Sequence, residues 1–481
     1  MTTFNHLPTE LRREIAMHCT LESVVRLSQT SATLRALILS DKHILSDAFK
    51  MYPLDLPAGT TLDRSPSRYL ALCLKAARTK ERLWSADITK ALSPLHHTSV
   101  PLPEIVHDDD VAGLHECPIP QPPFIFDDII VYWADQGPFS LIIADLTDEE
   151  RRLDIDTEQI ASLNCQVRDG NTTLRIAHVS WDGCYVPIVE DYDITGDYFR
   201  ELLHFRAPPI EGRGVLDPLI EGETIFIANG SSVYMFNVRD ETGVQLQLDG
   251  VFKILRIRAH PDMQSLIVEH VDVDLHSHVH IAVISIPHST SKLLINRPDL
   301  ESTGLWPIEV VSPIRKLSYS DDLMPALPLP PDEQIFSMIA LAGPQPSSHS
   351  DILEVVQYSS QAASLYQVKH MAISPSSWDI TSRVIQAPVL SHRPNTRVLR
   401  LQGIQMRYSD FATIFLVGER SGYGLYVLRT EKSGEMGWIL LDISAVFGNV
   451  REHFDDNIWG FDVSSGRLFL YDRDELHVLY Y

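Results

Sequence analysis

The 481-residue sequence predicts a mainly β fold behind a small all-α N-terminal module. Apolar residues recur at helical spacing only as far as about residue 84. From about residue 124, short runs rich in Val, Ile, Phe and Tyr are separated by Gly, Asp, Asn and Ser turns, the pattern of strands and hairpins. Charge changes in the same region. Residues 1–90 carry 13 Lys+Arg against 9 Asp+Glu, a net +4, while the remainder carries 27 against 55. A chain of this length exceeds one ordinary core, so a boundary near residue 90 is expected. The division is a three-helix module at 1–45, a helical linker at 46–90 and a β-rich domain at 91–481.

Pro8 suits a first helical turn, where a missing N–H is harmless. Leu11, Ile15 and Cys19 then share one face, with Arg12, Arg13 and Glu14 outside it. Leu21, Val24, Val25 and Leu27 supply a second apolar stripe. Ser31 is placed to cap a third helix carrying Leu34, Leu37 and Ile38. Asp41-Lys42-His43 breaks the pattern before Ile44-Leu45. A further helix starts at Ser65-Pro66 and repeats Tyr69, Leu70, Cys73, Ala76 and Ala77 at helical spacing. Pro94, Pro101, Pro103 and the run His107-Asp108-Asp109-Asp110 predict an irregular connection.

Hairpins follow in series. Phe124–Trp133 precedes Phe139–Leu146, and Thr224–Ala228 precedes Val233–Val238 across Asn229-Gly230-Ser231. Leu266–Val271 precedes Val279–Ile286, and Phe411–Val417 precedes Gly424–Leu428. Phe461–Val463, Arg467–Tyr471 and Glu475–Tyr480 close the series. A recurrence every 40 to 60 residues is the period range of propeller blades, and Trp181-Asp182-Gly183 is one isolated signature fragment. The expected architecture is a β-propeller of about seven blades, with two tandem β-sandwiches as the alternative. The strand Glu475–Tyr480 is expected to share a last blade with Phe461–Tyr471 and with a strand from residues 83–133. Met324–Pro331 and Gly343–Ser350 read as insertions between strands.

Composition narrows the function. An acidic body repels phosphate backbones, so no nucleic-acid partner is expected. No apolar run is long enough to span a membrane, and Met1–His6 has no basic start or apolar core of a secretory signal, so the cytosol or nucleus is expected. The five cysteines (Cys19, Cys73, Cys117, Cys165, Cys184) are widely spaced without a C-x-x-C, as free thiols are. His276, His278 and His280 would share one strand face beside Asp272 and Asp274, which is metal-ligand spacing, but the cluster reads as the polar outer face of a strand or its connecting loop, with Val271, Val273 and Leu275 on the other side. Gly418–Gly424 reads as a turn between strands, His107–Asp110 as a solvated acidic run, and Asn171-Thr172-Thr173 as an idle glycosylation match. No nucleophile elbow, zincin or phosphate-loop motif occurs. No catalytic residue, cofactor or metal is assigned, and the chain is not expected to be an enzyme.

The opening string Leu7-Pro8-Thr9-Glu10-Leu11, then Ile15, Leu21, Val24-Val25, Leu27-Ser28, Thr30-Ser31, Leu34-Arg35, Leu37, Ser40-Asp41 and Ile44-Leu45 resembles the F-box family. The whole chain is similar in style to F-box proteins of basidiomycete fungi. It departs from the family at Leu34, where a Trp is frequent, at Ile44-Leu45, where the family closes with Leu-Trp, and at His18-Cys19, which is less apolar than usual. The resemblance implies helices that dock on a Skp1-type adaptor, which leads to a cullin and a RING subunit. The β domain would then hold an unknown protein substrate in an SCF-type ubiquitin ligase. The residues implied for the adaptor are Leu7, Pro8, Leu11, Ile15, Leu21, Val24, Val25, Leu27 and Leu34. Physical reasoning points the same way, since so small a module cannot bury enough apolar surface alone. Two alternatives stand beside this: the helices pack on the linker helix of residues 66–82, or the chain is a propeller-based scaffold or enzyme with the helices as an appendage.

Overall fold

The computed structural model describes residues 7–41, 43–46, 66–84, 91–102, 124–126, 128–135, 139–148, 150–168, 172–181, 183–211, 214–259, 264–272, 279–287, 291–292, 306–318, 335–341, 351–359, 367–373, 380–386, 397–405, 411–419, 422–430, 436–447, 458–462, 466–472 and 475–481. The chain divides into two compact units, residues 1–103 with 330–481, and residues 104–329.

The first unit opens with helices α1 (Thr9–Met17), α2 (Leu21–Thr30), α3 (Ala32–Ser40) and α4 (Pro66–Trp84). Caps set the short helices. Thr20 Oγ1 accepts from the Ser23 amide at 3.3 Å, and Ser31 Oγ accepts from the Leu34 amide at 3.1 Å, each satisfying a donor that a helix start leaves open. Ser31 therefore caps the third helix as its position predicts. Pro66 opens α4; Ser65, its expected cap, lies outside the described residues.

Three sheets complete this unit. Ile335–Leu341, Asp351–Ser359, Gln367–Ile373 and Ile380–Gln386 form one antiparallel meander, and Arg397–Gln405, Phe411–Glu419, Gly422–Thr430 and Met436–Leu441 the next. In the third, Ile458–Asp462, Arg467–Asp472 and Glu475–Tyr480 are joined by His96–Pro101 from the other side of the sequence. That strand pairs antiparallel from His96↔Tyr480 to Pro101↔Glu475. The expected pairing of Glu475–Tyr480 with an early strand is thus seen.

The second unit holds four sheets. Phe124–Phe126, Ile129–Asp135, Phe139–Asp145 and Arg152–Asp156 make the first, and Gln159–Arg168, Thr173–Trp181, Tyr185–Asp193 and Arg200–Arg206 the second. Leu219–Glu221, Thr224–Asn229, Ser232–Asn237 and Thr242–Leu248 make the third, whose last strand also pairs with Ser291–Lys292 and Ile308–Val311. Val251–Ala259, Ser265–Asp272, Val279–Ser285 and Arg315–Ser318 make the fourth. One expected element is corrected: Phe124–Trp133 is two strands, because Asp128 forms a turn between Phe126 and Ile129.

Among the described residues there are thus seven sheets; five carry four consecutive antiparallel strands, one takes its fourth strand from His96–Pro101, and one takes it from Arg315–Ser318 after Ser291–Lys292 and Ile308–Val311 have paired in the neighbouring sheet. Serial meanders are the blade order of propellers, whereas Greek-key sandwiches exchange strands between sheets. The fold class is mainly β with a small all-α N-terminal module, as the change of periodicity predicts.

Apolar strand faces supply the second unit's core. Phe205 and Phe236 stack with centroids 5.7 Å apart, and Trp306 meets Tyr234 edge-on at 5.2 Å while its indole N–H donates to the Pro209 carbonyl at 2.9 Å. Arg175, fully buried, ties the second sheet to the third. Its Nε and Nη2 donate to both carboxylate oxygens of Asp191 at 2.6 Å, its Nη2 to Glu223 at 3.0 Å, and its Nη1 to the Gly222 carbonyl at 2.6 Å. A forked guanidinium satisfied on every side is the arrangement that makes a buried charge tolerable.

Two outcomes follow from this packing. Arg175→Met should lower the stability of the second unit by about 3–5 kcal/mol, because Asp191 is left buried without its cation; a denaturant melt checks it. Gly466 holds φ +68, and a Cβ there would lie 2.7 Å from both Thr79 Cγ2 and the Tyr481 carbonyl. Gly466→Ala should therefore cost well over the roughly 1–2 kcal/mol of a left-handed alanine. Gly250→Ala, at φ +73 with nothing within 4 Å, should cost no more than that in the same measurement.

Candidate functional site

The N-terminal helices form a small core with α4. Ala16, Val24, Val25, Ile38, Ile44, Leu45, Leu70 and Cys73 are all buried together, with Met17, Cys19, Leu27, Leu37, Leu39 and Leu74 packed around them. Leu70 and Cys73 come from α4, so the linker helix covers apolar surface that α1, α2 and α3 could not cover alone. Burial pushes the Cys73 thiol up to about 12, so it packs as an inert apolar group. Buried Ser28 donates to the Val25 carbonyl at 2.6 Å, which satisfies its hydroxyl inside this core. Arg13 of α1 pairs with Asp41 just beyond α3, and the Asp41 side chain also accepts from the His43 amide at 3.1 Å.

This packing sorts the residues of the F-box-like string. Val24 and Val25 are 0% and 1% exposed and Leu34 is 4%, so these three face the module's own core. That corrects the sequence reading, which set them on the partner surface. The α2 stripe is satisfied by α4, and a buried side chain cannot touch a partner. Leu7 and Leu27 are half-buried, and the Leu21 side chain lies outside the described ones. Leu11 and Ile15, in contrast, are 51% and 42% exposed, one helical turn apart on α1, with exposed Pro8 preceding them. The Pro8 carbonyl accepts from the Arg12 amide at 3.1 Å and sets the helix start. Two large neighbouring apolar side chains kept in water, while the opposite face of the same helix buries Ala16, form an amphipathic helix with an uncovered stripe.

The other candidate cluster is brought together in part. His276, His278 and Asp274 lie outside the described residues, as do His107–Asp110, Arg420-Ser421, Asn171, Asp182 and both Pro/Ser-rich stretches. His280 sits opposite His270 across paired strands, and both rings are buried. Asp272 lies between them, its carboxylate oxygens 3.1 Å from His270 Nδ1 and 3.4 Å from His280 Nε2. The sequence reading missed His270. Its signal was the i, i+2 spacing to Asp272 on one strand face, which is visible only once the register with His280 is known. Cys19, Cys73, Cys165 and Cys184 are free thiols, and Cys117 lies outside the described residues.

Residues 4–45 match the F-box domain family. No curated protein matches the chain. Among solved structures, the Pan2 WD40 domain of Neurospora crassa is similar at 9% identity and TM-score 0.39, covering 81% of this chain and 96% of that one. Drosophila Semaphorin 2a is similar at 8% and 0.35, covering 77% and 72%. Oligopeptidase B from Trypanosoma brucei is similar at 9% and 0.36, covering 89% of this chain and 50% of that one. Likeness at these scores carries no functional argument. No described helix is long and apolar enough to cross a membrane.

The two classes of apolar residue should separate in folding experiments. Val24→Asp buries an unpaired charge and should unfold the helical module. Leu11→Ser and Ile15→Ser change half-exposed positions and should each cost no more than about 1 kcal/mol, close to ordinary surface substitutions. Helical circular dichroism and limited proteolysis after α3 distinguish the two.

Proposed function

We propose that this chain is a substrate-recruiting adaptor of an SCF-type ubiquitin ligase. The observation that carries the reading is the uncovered pair Leu11 and Ile15 on α1, within a segment that matches the F-box domain over residues 4–45. In this reading Leu7, Pro8, Leu11 and Ile15 enter an apolar groove of a Skp1-like protein, with Leu21 and Leu27 beside them. Val24, Val25 and Leu34 act from beneath, by holding α1 at its angle. The Skp1-like protein connects onward to a cullin.

The division of labour follows the chain. Residues 1–45 take the adaptor, residues 46–90 link, and residues 91–481 bind a protein substrate. The chain performs no chemistry of its own in this reading and works in the cytosol or nucleus, where Skp1-like proteins and cullins are found. The acidic body, with 55 Asp+Glu against 27 Lys+Arg beyond residue 90, favours a basic face on that substrate.

A second reading has one observation behind it. Leu70 and Cys73 of α4 close the module's core, so the helices could serve as a structural appendage of the first unit. The two readings part on the double change Leu11→Glu with Ile15→Lys. Burying each side chain in a partner is worth roughly 1.5–3 kcal/mol. Losing both should weaken Skp1 capture by roughly a hundredfold or more. Pull-down with a Skp1-like protein, together with a thermal melt, is the test. Lost capture with an unchanged melt supports the adaptor, retained capture sinks it, and a collapsed melt favours the appendage.

A further inference from the structure

The second sheet of the second unit carries a group of side chains that neither packing nor the adaptor reading uses. Glu190 lies on Tyr185–Asp193, directly opposite His204 on the outer strand Arg200–Arg206. Its carboxylate is buried, with the side chain only 5% exposed, and Oε1 lies 3.0 Å from His204 Nδ1. Regular pairing from that point would set Leu202 opposite Tyr192. Instead the register shifts between Asp191 and Tyr192, and Glu201 takes that place. The bulge expels Leu202 to solvent, 51% exposed, and brings Glu201 onto the face that carries Glu190 and His204. One ligand atom from each of Glu190, Glu201 and His204 then lies within 4.8 Å of the others.

A second observation lies beneath the trio. His178, on the adjacent strand Thr173–Trp181, is 2% exposed and points its Nε2 at Glu190 Oε2 from 3.8 Å, too far for a hydrogen bond. Among the described residues, nothing hydrogen-bonds Glu190 Oε2 or His178 Nδ1. Two carboxylates are thus held close together with His204 as the one basic side chain among them, and the buried one keeps an oxygen that no described residue bonds.

The geometry points to a divalent transition-metal site of the zinc class, formed by Glu190, Glu201 and His204 on this sheet. Imidazole with carboxylate oxygen is a donor set suited to zinc, and three protein ligands leave a position for water or an external donor. Bond lengths of roughly 2.0–2.2 Å at tetrahedral angles separate two donors by roughly 3.3 Å. The 3.0 Å between His204 Nδ1 and Glu190 Oε1 needs only a slight opening for an ion to replace the proton between them. His178 then backs the Glu190 carboxylate as an outer partner of the kind that orients metal ligands. Access is open, because His204 and Glu201 are both exposed on the sheet's outer strand.

The test uses the full chain, stripped with a chelator and titrated with zinc chloride by calorimetry. One stoichiometric site is expected. Outer-shell partners alone change metal affinity by about 10- to 100-fold, so Glu201→Gln and His204→Gln should each weaken zinc by at least about that much. The Glu201 side chain is exposed, so Glu201→Gln should melt like the unaltered chain without metal. The control is His477→Gln, because His97 and His477 form an exposed imidazole pair 3.1 Å apart in the first unit. It should leave the affinity unchanged. Absence of stoichiometric zinc, full affinity in either ligand variant, or loss of binding through His477→Gln would overturn the assignment.

Discussion

The first unit depends on one pairing, that of His96–Pro101 with Glu475–Tyr480. A strand with an unpaired edge exposes a row of backbone donors and acceptors, each worth about 0.5–1.5 kcal/mol when paired. Supplying that edge from a segment some 375 residues earlier in the sequence joins the helical part to the last sheet. The neighbouring contacts reinforce the joint. Arg82 at the end of α4 donates to the Ser93 carbonyl at 3.0 Å, Ser93 donates to Asp442 at 3.1 Å, and buried Tyr481 donates its hydroxyl to the Asp442 carbonyl at 2.7 Å. The close approach of Thr79 to Gly466 belongs to the same joint. The helical module is therefore docked onto the β structure through α4.

That docking explains how so small a module keeps an apolar surface in water. Its core is completed from outside, by Leu70 and Cys73, so α2 and α3 can turn their apolar residues inward while α1 keeps Leu11 and Ile15 outward. A free three-helix fragment would have to use the same residues for its own stability. Borrowing core from α4 releases one helix face for binding.

Buried charge is handled in two opposite ways within one sheet. Arg175 on Thr173–Trp181 meets Asp191, Glu223 and a backbone carbonyl, so each of its three guanidinium nitrogens has a partner. Three residues on, His178 faces Glu190 at 3.8 Å without a hydrogen bond. Desolvation penalises both sites alike, and in the second one carboxylate oxygen, Glu190 Oε2, has no described hydrogen-bond partner. The difference marks the second as a place for something the chain itself does not contain.

Much of the helical part was legible in the amino-acid sequence. The Pro8 start, the Ser31 cap and the apolar spacings are local features, and local sterics and hydrogen bonding determine them. The β class was legible for the same reason, since side-chain alternation and turn residues act over a few positions. The partition of the apolar string was not. Val24 and Leu11 look alike as sequence, and only the arrival of α4 from beyond residue 65 decides that one is core and the other surface. Nor could spacing place Glu190, His204 and Glu201 together, because their meeting depends on strand register and on one bulged residue, Leu202. A one-residue shift reverses which face a side chain occupies, and register is set by contacts between distant segments. Local periodicity is thus written in the chain, while facing and proximity belong to the tertiary structure.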